Sequence, residues 1–201
     1  VGYVVPDPQI VNAMFFGVPQ HRERIYIVGF RKDLGIKKDD FSYPEQKEVT
    51  KKWIDVREEN PVPAKYYLST TYIETLKRHK ARHEAKGNGF GYDIIPDDGI
   101  AHAIVVGGMG RESNLVIDFR QTDLTPTTRI KGEVNRQGWR KMTPREWARL
   151  QGYPDNFRIV VADASAYKQF GNSVAVPAIQ ATAKQLLKTL NDKKILKLWE
   201  Y

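Results

Sequence analysis

Arg140-Lys141-Met142-Thr143-Pro144-Arg145-Glu146-Trp147-Ala148-Arg149-Leu150-Gln151-Gly152-Tyr153-Pro154-Asp155 is the stretch on which the reading of this 201-residue chain turns. Thr143 suits a helix cap, Pro144 the first helical position, and Glu146 the far end of a capping box. Gly152 supplies the stop. Trp147 and Leu150, three apart, give the short helix one apolar side, which leaves Arg140, Arg145 and Arg149 on a basic face for solvent or a partner.

Two further blocks belong with it. Tyr167-Lys168-Gln169-Phe170-Gly171-Asn172-Ser173-Val174 follows shortly, and Phe16-Gly17-Val18-Pro19-Gln20-His21-Arg22-Glu23-Arg24-Ile25-Tyr26-Ile27-Val28-Gly29-Phe30 lies far upstream. In chain order the three resemble the eighth, ninth and tenth motifs of the DNA (cytosine-5) methyltransferases, of the bacterial restriction-modification type. The resemblance covers essentially the whole chain. It implies an α/β fold, the C-terminal portion of a Rossmann-like S-adenosylmethionine-dependent methyltransferase domain, with a small mixed α/β target recognition domain. Residues 1–50 would belong to the catalytic domain and 51–139 to the recognition domain. Residues 140–201 would hold motifs nine and ten and a C-terminal helix returning to the catalytic domain.

Composition sets the main constraint, because the chain contains no cysteine. The family's reaction needs a Pro-Cys thiolate to attack carbon 6 of cytosine. The Phe-x-Gly-x-Gly loop that binds S-adenosyl-L-methionine and the Glu-Asn-Val segment are also missing. The chain begins at Val1, so an N-terminal catalytic half carrying these motifs is expected, in the same original chain or as a second subunit. This chain alone should be inactive. A net charge of +8 and a pI near 9.5 favour an anionic partner, which the resemblance makes double-stranded DNA. No apolar run approaches the roughly 20 residues of a membrane span, no signal-like start is visible, and the resemblance implies the bacterial cytoplasm. The competing reading is a catalytically silent DNA-binding or regulatory module of the same fold. An RNA substrate, used by one branch of the family, fits less well, since that branch has a reduced recognition segment.

Gln20, Arg22 and Arg24 precede an apolar run, 24–30, that predicts a strand buried on both faces as in a parallel sheet. Taken alone, the arginines are ordinary surface residues flanking Glu23. By resemblance they are catalytic: Arg24 contacts O2 of the flipped cytosine, and Arg22 supports the catalytic loop or nearby phosphates. Gly171 permits a tight turn beside a ligand, and by resemblance Asn172, Ser173 and Val174 line the cofactor pocket. Pro177 opens a last helix whose stripe of Ile179, Ala183, Leu186, Leu187 and Leu190 predicts an amphipathic face.

Between these blocks, residues 33–63 read as a polar connector with one apolar island, Trp53-Ile54-Asp55-Val56. Thr71-x-x-Glu74 predicts a capping box for a helix ended near Gly87. That helix carries five Lys or Arg between 77 and 86 against one acid. Lys80 and Arg82 are candidates for the phosphate backbone, or simply part of a solvated face. His79 and His83 are four apart but lack a third ligand, so no metal is expected. Gly87-Asn88-Gly89-Phe90-Gly91 and Gly107-Gly108-Met109-Gly110 lack the features of phosphate-binding loops and predict turns or close backbone approach. In the family two recognition loops enter the major groove, one starting at a Thr-Leu dipeptide whose place is taken here by Ala103-Ile104. That puts Gly108, Arg111 and Glu112 at the DNA, Arg111 suiting guanine and Glu112 cytosine N4, unless the two form a local ion pair. Arg145 is a candidate backbone contact, residues 115–119 predict a strand, and 125–131 a polar turn and edge. The recognition segment resembles those of bacterial enzymes acting on short CC-containing palindromes.

Overall fold

The computed structural model describes residues 2–107, 110–125 and 132–195. Its centre is helix-capping chemistry: the Thr143 hydroxyl accepts from the Glu146 N–H at 3.1 Å while the Glu146 carboxylate accepts from the Thr143 N–H at 2.7 Å. This reciprocal box opens a helix at Pro144–Leu150. Gly152 ends it at φ +78°, where a Cβ would run into the Pro177 ring.

In chain order the elements are β1 (Tyr3–Val4), β2 (Gln9–Asn12), β3 (Gln20–His21), β4 (Glu23–Tyr26), β5 (Phe30–Arg31), α1 (Thr70–Glu84), β6 (Ala101–His102), β7 (Leu115–Ile117), β8 (Trp139–Lys141), α2 (Pro144–Leu150), α3 (Asp163–Asn172) and α4 (Val176–Asp192). The strands form four separate pairs: β1 with β5, β2 with β4 and β7 with β8 run antiparallel, and β3 with β6 runs parallel.

The 24–30 run departs from its expected setting. β4 pairs antiparallel with β2, and Ile25 and Ile27 are 67% and 70% exposed. With one paired neighbour among the described residues the strand keeps an open edge, and no described residue covers the side carrying Ile25 and Ile27.

The main core joins parts of the 53–116 segment to α2 and α3. Trp147 and Leu150 of α2 pack with Trp53, Ile95, Ile104 and Val116 of the intervening segment and with Tyr167 and Phe170 of α3. The apolar island at 53–56 is therefore part of the core, and Trp53 is fully buried. The indole anchors this polar connector through its apolar surface, while its N–H finds no partner among the described residues.

Arg140 corrects the expectation of a solvated basic face. Its guanidinium is fully buried, donating to both Glu146 carboxylate oxygens at 2.8 Å and to Asp118 at 3.0 Å. Asp118 lies just past β7, so only the tertiary fold supplies this partner. Helix α1 also starts elsewhere than the 71–74 box: Ser69 caps it by accepting from the Tyr72 N–H at 3.2 Å. The preceding chain is held extended by the Ser69–Val134 bridge and by the Thr70 N–H donating to Glu133, which fixes the point where the helix begins.

Helix α4 uses only part of its large apolar stripe. Ile179 and Leu187 are exposed, whereas Ala178, Thr182 and Thr189 are buried, and Leu186 and Leu190 pack against Val28, Phe30 and Phe41. Small residues let the helix approach closely: Ala178 sits in a cluster with Val11 and Val18. The 115–119 strand is shorter than expected, because Phe119 is exposed and Asp118 turns to its ion partners. Positions 126–131 of the expected turn and edge, and the tail beyond Ile195, lie outside the described residues.

Candidate functional site

Gln20 and Arg22 sit at the crossing of three segments. The Gln20 side chain, fully buried, donates to the Leu150 carbonyl at 2.9 Å and to Gln151 at 3.3 Å, and accepts from the Ile104 N–H at 3.0 Å. Arg22, 6% exposed, donates to the Ile104 carbonyl at 2.7 Å, the Gly171 carbonyl at 3.2 Å and the Ser173 carbonyl at 2.9 Å. The Gln20 amide and both terminal nitrogens of Arg22 are thus engaged within the protein, a supporting arrangement around Ile104, while Arg22 Nε is buried without a partner among the described residues. Burial, and then the neighbouring Arg24 charge, pushes the Arg22 guanidinium down to about 10, so it stays charged at neutral pH.

Arg24, two residues on, is different. It is exposed, and among the described residues its side chain makes one hydrogen bond, donating to the Glu23 carbonyl at 2.6 Å. It lines an open cleft of about 420 Å³ together with Ile25, Ile27, Asn172, Ser173, Val174 and Ile179. Residues from the eighth and tenth motif blocks, 150 positions apart in sequence, are thus brought to one surface.

The tenth block adopts a form other than the expected turn. Gly171 lies inside α3 with ordinary helical backbone, and the chain breaks only at Ser173. The glycine instead admits the neighbouring loop: a Cβ there would come within 2.7 Å of Val106 Cγ2 and 3.2 Å of the Val106 nitrogen. Asn172 and Val174 remain exposed, and the Ser173 hydroxyl donates to the Phe170 carbonyl at 2.9 Å.

In the segment before β7, the Arg111 guanidinium lies over the Tyr167 ring, 5.4 Å from its centre. Tyr167 itself donates to the Met142 carbonyl, and burial raises its phenol. Glu112 faces inward: it is 4% exposed, accepts from Tyr72 at 3.0 Å and pairs with Lys141 at 2.8 Å. Burial opposes its charge, but Lys141 and Tyr72 outweigh this and hold the carboxyl below its usual range. A base edge would have to displace both partners, so this chain does not present Glu112 for base reading, nor does it pair with Arg111.

Lys80 is likewise tied back, donating to the Tyr92 carbonyl at 3.3 Å with its ammonium over that ring. Arg82 stays exposed on the opposite side beside Thr75, Arg78 and His79. Arg145 donates to the Phe157 carbonyl at 2.7 Å. The His79 and His83 rings lie side by side, tilted 40° to each other with centres 4.4 Å apart. Gly108 lies outside the described residues. Sequence reasoning named Ile104 as a loop start but not as a residue whose backbone N–H and carbonyl are both held, and it missed Gln151, whose amide donates to the Phe170 carbonyl at 2.8 Å. Neither carries a type-specific signal, since one acts through its backbone and the other through a contact 19 residues away.

The chain matches the C-5 cytosine-specific DNA methylase family over residues 1–188. The chain belongs to that family. Among relatives of this methylase chain, the Type II methyltransferase M.HpaII of Haemophilus parainfluenzae is 71% identical over 192 residues, covering 96% of this chain and 53% of that protein. The Type II methyltransferase M.SsoII of Shigella sonnei is 37% identical over 182 residues, covering 90% and 44%. Among solved structures, the S. pombe Dnmt2 methyltransferase aligns with a TM-score of 0.64 at 21% identity, covering 94% of this chain and 59% of that one. The shared fold is that of part of a methyltransferase. This methylase chain spans about half the length of the curated relatives it matches.

Proposed function

We propose that this chain supplies the DNA-recognition segment and one wall of the active site of a DNA (cytosine-5) methyltransferase, whose catalytic cysteine comes from an N-terminal half. The observation that carries the reading is the shared cleft of Arg24 and residues 172–174. A cytosine is swung out of a specific short DNA site into that cleft. Arg24 holds the base through O2 while the thiolate of the other half adds to carbon 6. The carbon 5 proton is lost and the thiolate leaves once carbon 5 is methylated. When bound, S-adenosyl-L-methionine supplies the methyl group as an electrophile. The residues present fit one wall of its site: the exposed Asn172 amide offers hydrogen bonds, and the Val174, Ile25 and Ile179 side chains offer apolar surface.

The test joins this chain to a Pro-Cys-bearing N-terminal half, coexpressed with it, and follows assembly by native mass spectrometry and tritiated methyl transfer to duplex DNA. Labelled DNA only when both parts are present supports the reading, and Arg24→Ala should then abolish labelling while leaving DNA binding largely intact. Salt-sensitive DNA binding with no transfer in the assembled pair would identify a silent DNA-binding module instead.

A further inference from the structure

Ile104 begins the exposed recognition loop, and both its backbone N–H and its backbone carbonyl are held by side chains. Gln20 takes its N–H and Arg22 its carbonyl, at 3.0 and 2.7 Å. The same guanidinium holds the carbonyls of Gly171 and Ser173, which lead into the cofactor-side residues 172–174. Beside it, the missing side chain of Gly171 allows Val106 to rest on α3. One buried cation therefore spans both loops. If either loop moves alone, Arg22 loses one set of acceptors in a dry site, which is costly for a charged group.

We propose that Arg22 is the positioning residue that couples the recognition loop to the cofactor-side loop, so that cofactor binding and site-specific DNA binding strengthen each other. This rests on the function proposed above. The structure separates the idea from a phosphate-contact role through Lys: Arg22→Lys keeps the charge, but an ammonium lacks the planar fork that reaches three carbonyls in fixed directions.

The experiment uses the assembled enzyme and a duplex that the wild type methylates. The dissociation constant for that duplex, and for one lacking the site, is measured by fluorescence anisotropy with and without S-adenosylhomocysteine. In the wild type the cofactor product should tighten site binding by about 5- to 150-fold, the usual span of coupling between two sites. In Arg22→Lys the ratio should collapse to about 1, with thermal unfolding showing a folded protein. Gly171→Ala, which displaces Val106 while leaving Arg22 in place, should lower the same ratio. Each ratio compares one preparation with itself, so a reduced active fraction does not move it. A wild-type ratio in both variants, or a wild type without coupling, overturns the proposal. If the wild-type assembly fails to methylate any DNA, the proposed function itself fails, whereas methylation with unchanged ratios removes only the coupling.

Discussion

Arg22 and Arg24 stand two apart, yet they do opposite things. Arg22 points between segments and is buried, while Arg24 faces the cleft. Truncating Arg24 should lower methyl transfer by the assembled enzyme by roughly 10²-fold or more, as loss of a single well-placed donor does elsewhere. Single-turnover kinetics with the wild-type DNA affinity as control would show it, and full activity would remove the assigned role. Arg111 rests its cation on the Tyr167 ring, which restrains where its guanidinium sits. Arg111→Ala is expected to reduce discrimination between the site and its single-base variants by about 1–3 kcal/mol, read as the ratio of kcat/KM values, and unchanged discrimination would sink base reading by this residue. At this scale the motif residues were visible in the sequence, but their directions were not. A two-residue spacing puts side chains on one face only within a regular strand, and Arg22 falls between β3 and β4.

At the scale of elements, α2 is tied to β7 through charge. Arg140, Glu146 and Asp118 form a cluster whose three side chains are fully buried. Removing one partner leaves an uncompensated charge in the interior, so Glu146→Gln should destabilise the chain by about 3–5 kcal/mol, measured as a drop in urea midpoint. Burial disfavours the Asp118 charge, but the hydrogen bonds from Arg120 and the charges of Arg140 and Arg120 more than offset this and bring its carboxyl down to about 2. Its folded value lies below its unfolded one. The resulting stability is present above about pH 4 and is lost as the pH falls toward about 2. Asp118→Asn should flatten this part of an acid-unfolding profile, and an unchanged acid limb would contradict the assignment. The capping box of α2 could be read directly from Thr143 and Glu146, because capping is local chemistry. The partners of Arg140 could not, because Asp118 is 22 residues away.

For the molecule as a whole, the β2–β4 pair leaves Ile10, Ile25 and Ile27 more than half exposed in a chain that spans about half the length of its relatives. Charged residues there should interfere with joining to the N-terminal half more than with this chain's own core, which is built around α2 and α3. Ile25→Asp combined with Ile27→Asp is expected to weaken the assembly in native mass spectrometry while the isolated chain retains its far-ultraviolet circular dichroism. An undiminished complex would place the contact elsewhere.

The sequence by itself determined the family, the α2 cap and its buried Trp147 and Leu150, and the set of residues from which the cleft is drawn. Each of these depends on residue types at short spacing. Only the tertiary structure decided that Arg140 is buried and Lys80 tied back, that Glu112 faces inward, that α4 adds Ala178, Thr182 and Thr189 to its buried side while leaving Ile179 and Leu187 exposed, and that Arg22 spends its charge on three carbonyls. Those outcomes depend on which distant backbone and side-chain groups arrive at the same place, and hydrogen bonds and close packing across more than a hundred residues leave no periodicity along the chain.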